Sequence, residues 1–329
     1  MPGSIFVTQP VLPEALEFLR SAGHDAIEAN SEDRVLSRDE LVARMKDTQG
    51  ALTQLTDPLD ADVIASLPGL RVISNVAVGF NNIDLAAANR LGILVTNTPG
   101  VLTETTADFA WALLMAAARR VVEGDRLARS GRWAGWRLTQ LLGHDVYGKT
   151  LGLVGFGRIG QAVARRAAGF GMTIQYCDTQ PIAPVDVPAG VTAVSFDTLV
   201  ATSDFISVHE PLQPATTHLF NDATFAAMKR SCIFVNTARG PVVDEPALAR
   251  ALASGTIAAA GLDVFEREPA IEPALVALDN VVLAPHIASA SRETRLKMCM
   301  MAVRNLVAGL AGDRPPNLVN PDAFTAARR

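Results

Sequence analysis

Cysteine is scarce in this chain of 329 residues. Only Cys177, Cys232 and Cys299 occur, odd in number and far apart. That pattern supports neither a disulfide framework nor a zinc site, and it fits a reducing cytoplasm. Long apolar runs are missing too. The longest strongly apolar helical stretch, residues 109–118, is too short to span a bilayer, so no membrane role is expected. No charge sign dominates: 29 Lys and Arg face 34 Asp and Glu, a net charge of −5. Without a basic patch or an arginine-rich arm, nucleic acid is not an expected partner. The N-terminus has no basic region followed by an apolar stretch, so no signal peptide is expected. Internal repeats and low-complexity segments are absent. What remains is 49% hydrophobic and 19% charged residues, ordinary for a globular protein of one or two domains.

The most informative stretch runs from Lys149 to Asp178. Residues 151–154 form a short apolar run suited to a buried strand. Gly155, Gly157 and Gly160 then give G-x-G-x-x-G, and Ile159, Val163 and Ala167 recur at helical spacing. Residues 173–176 make a second strand, with Asp178 just past its end. A strand, a glycine turn, a helix, a second strand and an acid about 20 residues on is the dinucleotide-binding unit. Gly155 permits the tight turn, Gly157 lets backbone approach a pyrophosphate, and Gly160 allows close helix–strand packing. Arg158 and Ile159 lie in the same turn and join the candidate cofactor contacts. The helix N-terminus offers N–H groups to the phosphates. Asp178 suits a ribose 2′-hydroxyl and repels a 2′-phosphate, so NAD is expected and NADP is the less favoured alternative.

Strands at residues 5–8, 50–53, 70–74 and 93–95 alternate with helices at 13–19, 37–45 and 60–67, which predicts a parallel α/β unit without a glycine fingerprint. The turn Asn97-Thr-Pro-Gly100 marks a boundary. One long helix is expected from 103 to 130. Its apolar faces are broad enough to imply interdomain packing or a subunit interface, and Trp133 and Trp136 follow it as packing or pocket residues. After Asp178, apolar runs recur at 191–194, 205–208, 232–235, 257–262 and 281–284, and a final helix covers about 289–310.

Ligands of open parallel sheets bind beyond the carboxyl ends of the strands. Four loops of the second half follow such ends. They carry His209, then Thr237, Ala238 and Arg239, then Asp263 and Glu268, then His286 and Ser289. His286 is suited to move a proton on an oxygen while hydride moves on the adjoining carbon. Glu268 would fix the ring and favour imidazolium. Arg239 offers a fork matched to a carboxylate and polarises a carbonyl. Asp263 is a candidate for the carboxamide side of a nicotinamide. His209, Thr237, Ala238 and Ser289 fall on the cofactor side. His24, His144 and His218 read as surface or packing residues. No cluster has metal-ligand spacing, so no metal is expected.

These motifs, Leu151-Gly-Leu-Val-Gly-Phe-Gly-Arg-Ile-Gly160, Asn236-Thr-Ala-Arg-Gly240, Gly261-Leu-Asp-Val-Phe-Glu-Arg-Glu-Pro269 and Ala284-Pro-His-Ile-Ala-Ser289, resemble the D-isomer-specific 2-hydroxyacid dehydrogenases over nearly the whole chain. The resemblance implies that Arg239, Glu268 and His286 form the catalytic trio. It places backbone N–H groups of Val78 and Gly79, and Leu55, at the substrate. It also implies two doubly wound α/β domains. A flavodoxin-like substrate domain at 1–99 and 287–329 would hold an inserted Rossmann-type domain at 100–286, and the protein would be a homodimer. Gly100-Val-Leu-Thr-Glu-Thr-Thr-Ala-Asp108 and Trp133-Ala-Gly-Trp136 look like the glyoxylate and hydroxypyruvate reductases, several of which favour NADPH and lack an acid at the position of Asp178. The expected activity is reduction of a small 2-oxo acid to the D-2-hydroxy acid. Phosphoglycerate or another D-2-hydroxyacid dehydrogenase is the enzymatic alternative, and an NAD-sensing corepressor-like module the non-enzymatic one.

Overall fold

The computed structural model describes residues 3–180 and 189–326, which divide into two compact units, Met1–Leu102 with Ala290–Arg329 and Thr103–Ser289. The first unit runs β1 (Ile5–Val7), α1 (Pro13–Ser21), β2 (Ile27–Ala29), α2 (Arg38–Met45), β3 (Gly50–Thr53), α3 (Ala61–Ala65), β4 (Val72–Asn75), α4 (Leu85–Arg90) and β5 (Leu94–Thr96). Its five strands are all parallel, in the order β2-β1-β3-β4-β5, the flavodoxin-like winding. Side chains alternate across each strand. Phe6 joins one core with Leu41 and Ile73, while Ile5 and Val7 join the other with Leu19 and Leu306. Helix starts follow local chemistry: Ser37 and Glu40 form a reciprocal capping box, and Asp60 caps α3.

The second unit continues with α5 (Thr103–Ala118), α6 (Val121–Arg129), β6 (Thr150–Val154), α7 (Arg158–Ala168), β7 (Thr173–Cys177), β8 (Val191–Ala193), α8 (Phe196–Thr202), β9 (Phe205–Val208), α9 (Asp222–Ala227), β10 (Ile233–Asn236), α10 (Glu245–Ala253), β11 (Ala259–Leu262), α11 (Pro273–Val276) and β12 (Val281–Leu283). These seven strands, again all parallel, lie in the order β12-β11-β10-β9-β6-β7-β8. The winding reverses between β6 and β9, where a Rossmann-type sheet opens its crevice. Ile233 and Val235 face a core shared with α5 and α7, and Phe234 faces a second core with Phe220 and Phe225. The chain then returns to the first unit through α12 (Arg292–Ala311) and α13 (Pro321–Ala326).

Three local expectations change. The long helix of residues 103–130 is two helices, α5 and α6, broken at Arg120, which takes the left-handed conformation at φ 51. The break is fixed from outside: His144 N donates to Ala118 O at 2.8 Å, and the Arg120 guanidinium makes a fork onto Glu123. The broad apolar surface of α5 is covered within its own unit. It lies on α7 and across β10, β11 and β12, with Trp111 stacked on Phe170 at 4.7 Å. Trp133 and Trp136, by contrast, are exposed in this unit, at 58% and 80%. The edge strand β2 carried no apolar run to announce it, and two of its three residues are exposed.

Candidate active site

After β6 the chain turns at Gly155, whose φ of 89 favours glycine. The approach is also too close for a side chain: a Cβ there would lie 2.6 Å from His209 C. Phe156 N donates to Asp178 Oδ2 at 2.6 Å, so the acid at the end of β7 is tied to the turn. Helix α7 begins at Gly157 with no side chain capping it, and open space lies where a Gly157 Cβ would project. Its N–H groups and positive dipole end face that space. Arg158 beside it is exposed and Ile159 half-buried. His209 N donates to Val154 O, and its Nε2 pairs with Ser207 Oγ at 2.9 Å. Burial pushes the His209 imidazole down to about 3, so the ring is neutral and poorly suited to carry a proton.

Beyond β10, the Asn236 side chain ties the turn by donating to Arg239 O and accepting from Ala238 N, both at 3.0 Å. Arg239 Nη1 donates to Ala238 O at 2.6 Å. Gly240 has no room for a Cβ, which would fall 1.9 Å from the Phe265 carbonyl, so the loops carrying Arg239 and Glu268 interlock. Burial lowers the Arg239 guanidinium, and the charge of Glu268 opposes that. Glu268 Oε1 accepts from Phe265 N at 2.9 Å. Its Oε2 pairs with His286 Nδ1 at 2.8 Å, with the two side chains 26% and 27% exposed. Burial alone would raise the Glu268 carboxyl. The His286 hydrogen bond, the Phe265 N–H and the charges of His286 and Arg239 outweigh it and hold Glu268 below the ordinary carboxylate range.

His286 sits at φ 55, a left-handed conformation uncommon outside glycine. Asp263 enforces it. Fully buried, it accepts from Ile287 N at 2.7 Å and Ala288 N at 2.8 Å, while its backbone carbonyl takes His286 N. Burial raises the Asp263 carboxyl, and those two N–H groups and the charge of His286 oppose the rise. Ser289, half-buried, closes this loop. Three segments therefore converge at the carboxyl edge of one sheet: a guanidinium within electrostatic reach of a carboxylate, and that carboxylate in contact with an imidazole.

The sequence model described as "D-isomer specific 2-hydroxyacid dehydrogenase, NAD binding domain" matches residues 111–288. The chain belongs to that family. Among similar proteins is the glyoxylate reductase of Korarchaeum cryptofilum, 50% identical, with 98% of this chain and 97% of the relative covered. A solved glyoxylate reductase from Paecilomyes thermophila is 33% identical with a TM-score of 0.86, covering 98% and 99% of the two chains. A solved NADPH-dependent glyoxylate/hydroxypyruvate reductase from Sinorhizobium meliloti is 35% identical with a TM-score of 0.83, covering 96% and 97%. This D-2-hydroxyacid dehydrogenase is thus an oxidoreductase with a dinucleotide-binding domain.

The residues present fit a dinucleotide. The N-terminus of α7 is uncapped beside the open space at Gly157, and Thr237 Oγ1 is buried without a hydrogen-bond partner in the structure. Such an orphaned hydroxyl is what a bound ligand would satisfy. Thr237, Ala238, His209 and the turn Gly155–Gly160 are the groups that would hold it.

The other unit supplies a different kind of loop. After β4, Asn97 Nδ2 donates to Val78 O at 2.8 Å and Asn75 Nδ2 to Gly79 O at 3.0 Å. Asn82 donates to Gln54 O, which precedes the half-buried Leu55. Two buried acids escaped sequence reading. Glu245 accepts from Glu266 N at 2.7 Å and Glu272 N at 3.3 Å, bracing the loop of Glu268. His218, expected as a surface or packing residue, pairs with Glu266 in the same loop at 2.9 Å. The second acid is Glu210. For both, the available signal was an acid directly following a functional loop residue or opening a helix, which is too common to single out.

Proposed function

We propose that this dehydrogenase reduces glyoxylate to its achiral 2-hydroxy acid, or hydroxypyruvate to the D-2-hydroxy acid, with NADH. The observation that carries the reading is the 2.8 Å pair between His286 Nδ1 and Glu268 Oε2 beside Arg239, at the carboxyl edge of the sheet that bears the glycine turn. The dinucleotide supplies or takes up the hydride. Proton transfer falls to His286: with Nδ1 engaged by Glu268, Nε2 is the atom left to protonate the carbonyl oxygen in reduction and to take the proton back in oxidation. Glu268 sets the ring's orientation, and Asp263 sets the backbone from which it projects. Arg239 holds the carboxylate with its fork and draws charge toward the carbonyl oxygen. In the other unit, the N–H groups of Val78 and Gly79 are assigned to the substrate carboxylate and Leu55 to its side chain.

NAD is preferred to NADP because Asp178 stands where a 2′-phosphate would bring two further negative charges. The names of similar proteins support a small 2-oxo acid. The exposed apolar residues Trp133, Trp136, Leu138, Leu142 and Tyr147 form a surface a monomer rarely tolerates, and we assign it to a homodimer. Three free cysteines and no helix among the described residues long and apolar enough to cross a membrane fit a reducing cytoplasm. The test is NADH and NADPH oxidation with glyoxylate, hydroxypyruvate, pyruvate and 3-phosphohydroxypyruvate, with molar mass measured by light scattering. Turnover is expected to be fastest with NADH and one of the first two acids, at a dimer mass. A preference for 3-phosphohydroxypyruvate would favour the phosphoglycerate enzymes. Cofactor binding without turnover of any acid would favour a sensor.

A further inference from the structure

The carboxyl edge of the second unit carries a second acid beside the glycine turn. Glu210 leaves β9 directly after His209, and β9 is the strand paired with β6 across the switch point. A Cβ on Gly155 would lie 2.7 Å from Glu210 N, so the two turns touch. Glu210 is 5% exposed. Its carboxyl lies close to the backbone N–H of Thr179, the residue after Asp178, and to Asp178 itself, whose charge acts on it. Asp178 in turn accepts from Phe156 N and Gln180 N. Two carboxyl groups, from the ends of β7 and β9, thus bracket the turn that follows β6. Burial raises the Glu210 carboxyl and the negative charge of Asp178 adds to it. No cation of the described residues figures among the groups acting on it.

We infer that Glu210 is a second determinant of cofactor choice, making the ribose end of the pocket a two-carboxyl site that accepts a 2′-hydroxyl and rejects a 2′-phosphate. The inference rests on the dinucleotide reading of the glycine turn. A hydroxyl can donate to a carboxylate, whereas a phosphate beside two acids meets like charge from both of them. Asp178 alone is then an incomplete switch: neutralising it leaves Glu210 in place.

The test compares wild type, Glu210→Gln, Asp178→Asn and the double variant. NADH and NADPH binding is read by nucleotide fluorescence without substrate, and kcat/KM by turnover of glyoxylate or whichever acid the panel identifies. Glutamine keeps the size of the side chain and an acceptor for Thr179 N–H, and removes the charge. Glu210→Gln is expected to move the NADPH-to-NADH affinity ratio toward NADPH by roughly tenfold, and the double variant further than either single one. Should Glu210→Gln fold poorly, Glu210→Ala carries the same expectation. An unchanged ratio, or an equal weakening of both cofactors, overturns the inference and makes Glu210 a brace for the Thr179 turn. The wild-type ratio alone judges the NAD reading. The change in that ratio on removing Glu210's charge judges the inference, whichever cofactor the wild type prefers.

Discussion

The two parallel sheets end in carboxyl edges of contrasting chemistry. In the second unit the edge carries two coupled sets of charged or titratable groups, Arg239, Glu268, His286 and Asp263 in one and Asp178 with Glu210 in the other. In the first unit it carries amides: Asn75 and Asn97 hold the loop after β4 by its carbonyl groups, and Asn82 holds the loop after β3 by Gln54 O. One acid there, Asp57, is buried. Burial raises its carboxyl, and it accepts from Thr8, Gln9 and Gln54 N–H. Two parallel sheets thus end in different materials. One edge is built of groups that gain and lose protons, and the other of amides and backbone dipoles, which keep their character at any pH.

His286→Ala should be the sharpest break, lowering kcat by roughly 10²- to 10⁴-fold with NADH affinity little changed. Near wild-type turnover would move the chemistry off the charged edge. Gly240→Ala should come next, since its Cβ would fall 1.9 Å from backbone. The interlocked loops must part, at a cost of about 2–3 kcal/mol read by denaturant unfolding. A cost near zero would mean that those loops are not interlocked. A gentler effect belongs to Glu268. Its folded-state carboxyl lies below the ordinary value of 4.5. The stability it contributes is therefore full above pH 4.5 and lost as pH falls through the lower folded value. The melting temperatures of wild type and Glu268→Gln should differ at pH 6–7 and converge in acid, whereas a constant gap would place the effect in packing. Smallest is Asn97→Ala, which removes one hydrogen bond worth about 1 kcal/mol. A several-fold rise in KM for the 2-oxo acid is expected, without a pH dependence of its own. A pH-dependent rise would erase the contrast between the edges.

Much of the charged edge could be read in advance. Gly155, Gly157 and Gly160 announce their turn because backbone geometry restricts which residues fit, and Arg239, Glu268 and His286 each follow a recognisable apolar run. That the sheets are parallel followed from the alternation of strands and helices, and their doubly wound architecture from the family resemblance. What stayed hidden depends on partners far away in the chain. Nothing near Arg120 marks a helix break, because the groups that fix it include His144 N, and no proline or glycine stands there. Asn97 reads as a turn residue until Val78 O is seen against it. Glu210 acquires meaning only once β9 lies beside β6.

The contact between Ala118 O and His144 N has one more consequence. A Cβ on Gly143 would also lie 2.3 Å from that oxygen, so the chain departs from α5 and comes back to the same spot. The segment between is held at its two ends by this contact and tied along its length by Arg126 Nη1 to Asp279 Oδ1 at 3.1 Å, and it bears Trp133, Trp136, Leu138 and Leu142. Such a segment can be lengthened, trimmed or exchanged without re-registering a strand of the sheet.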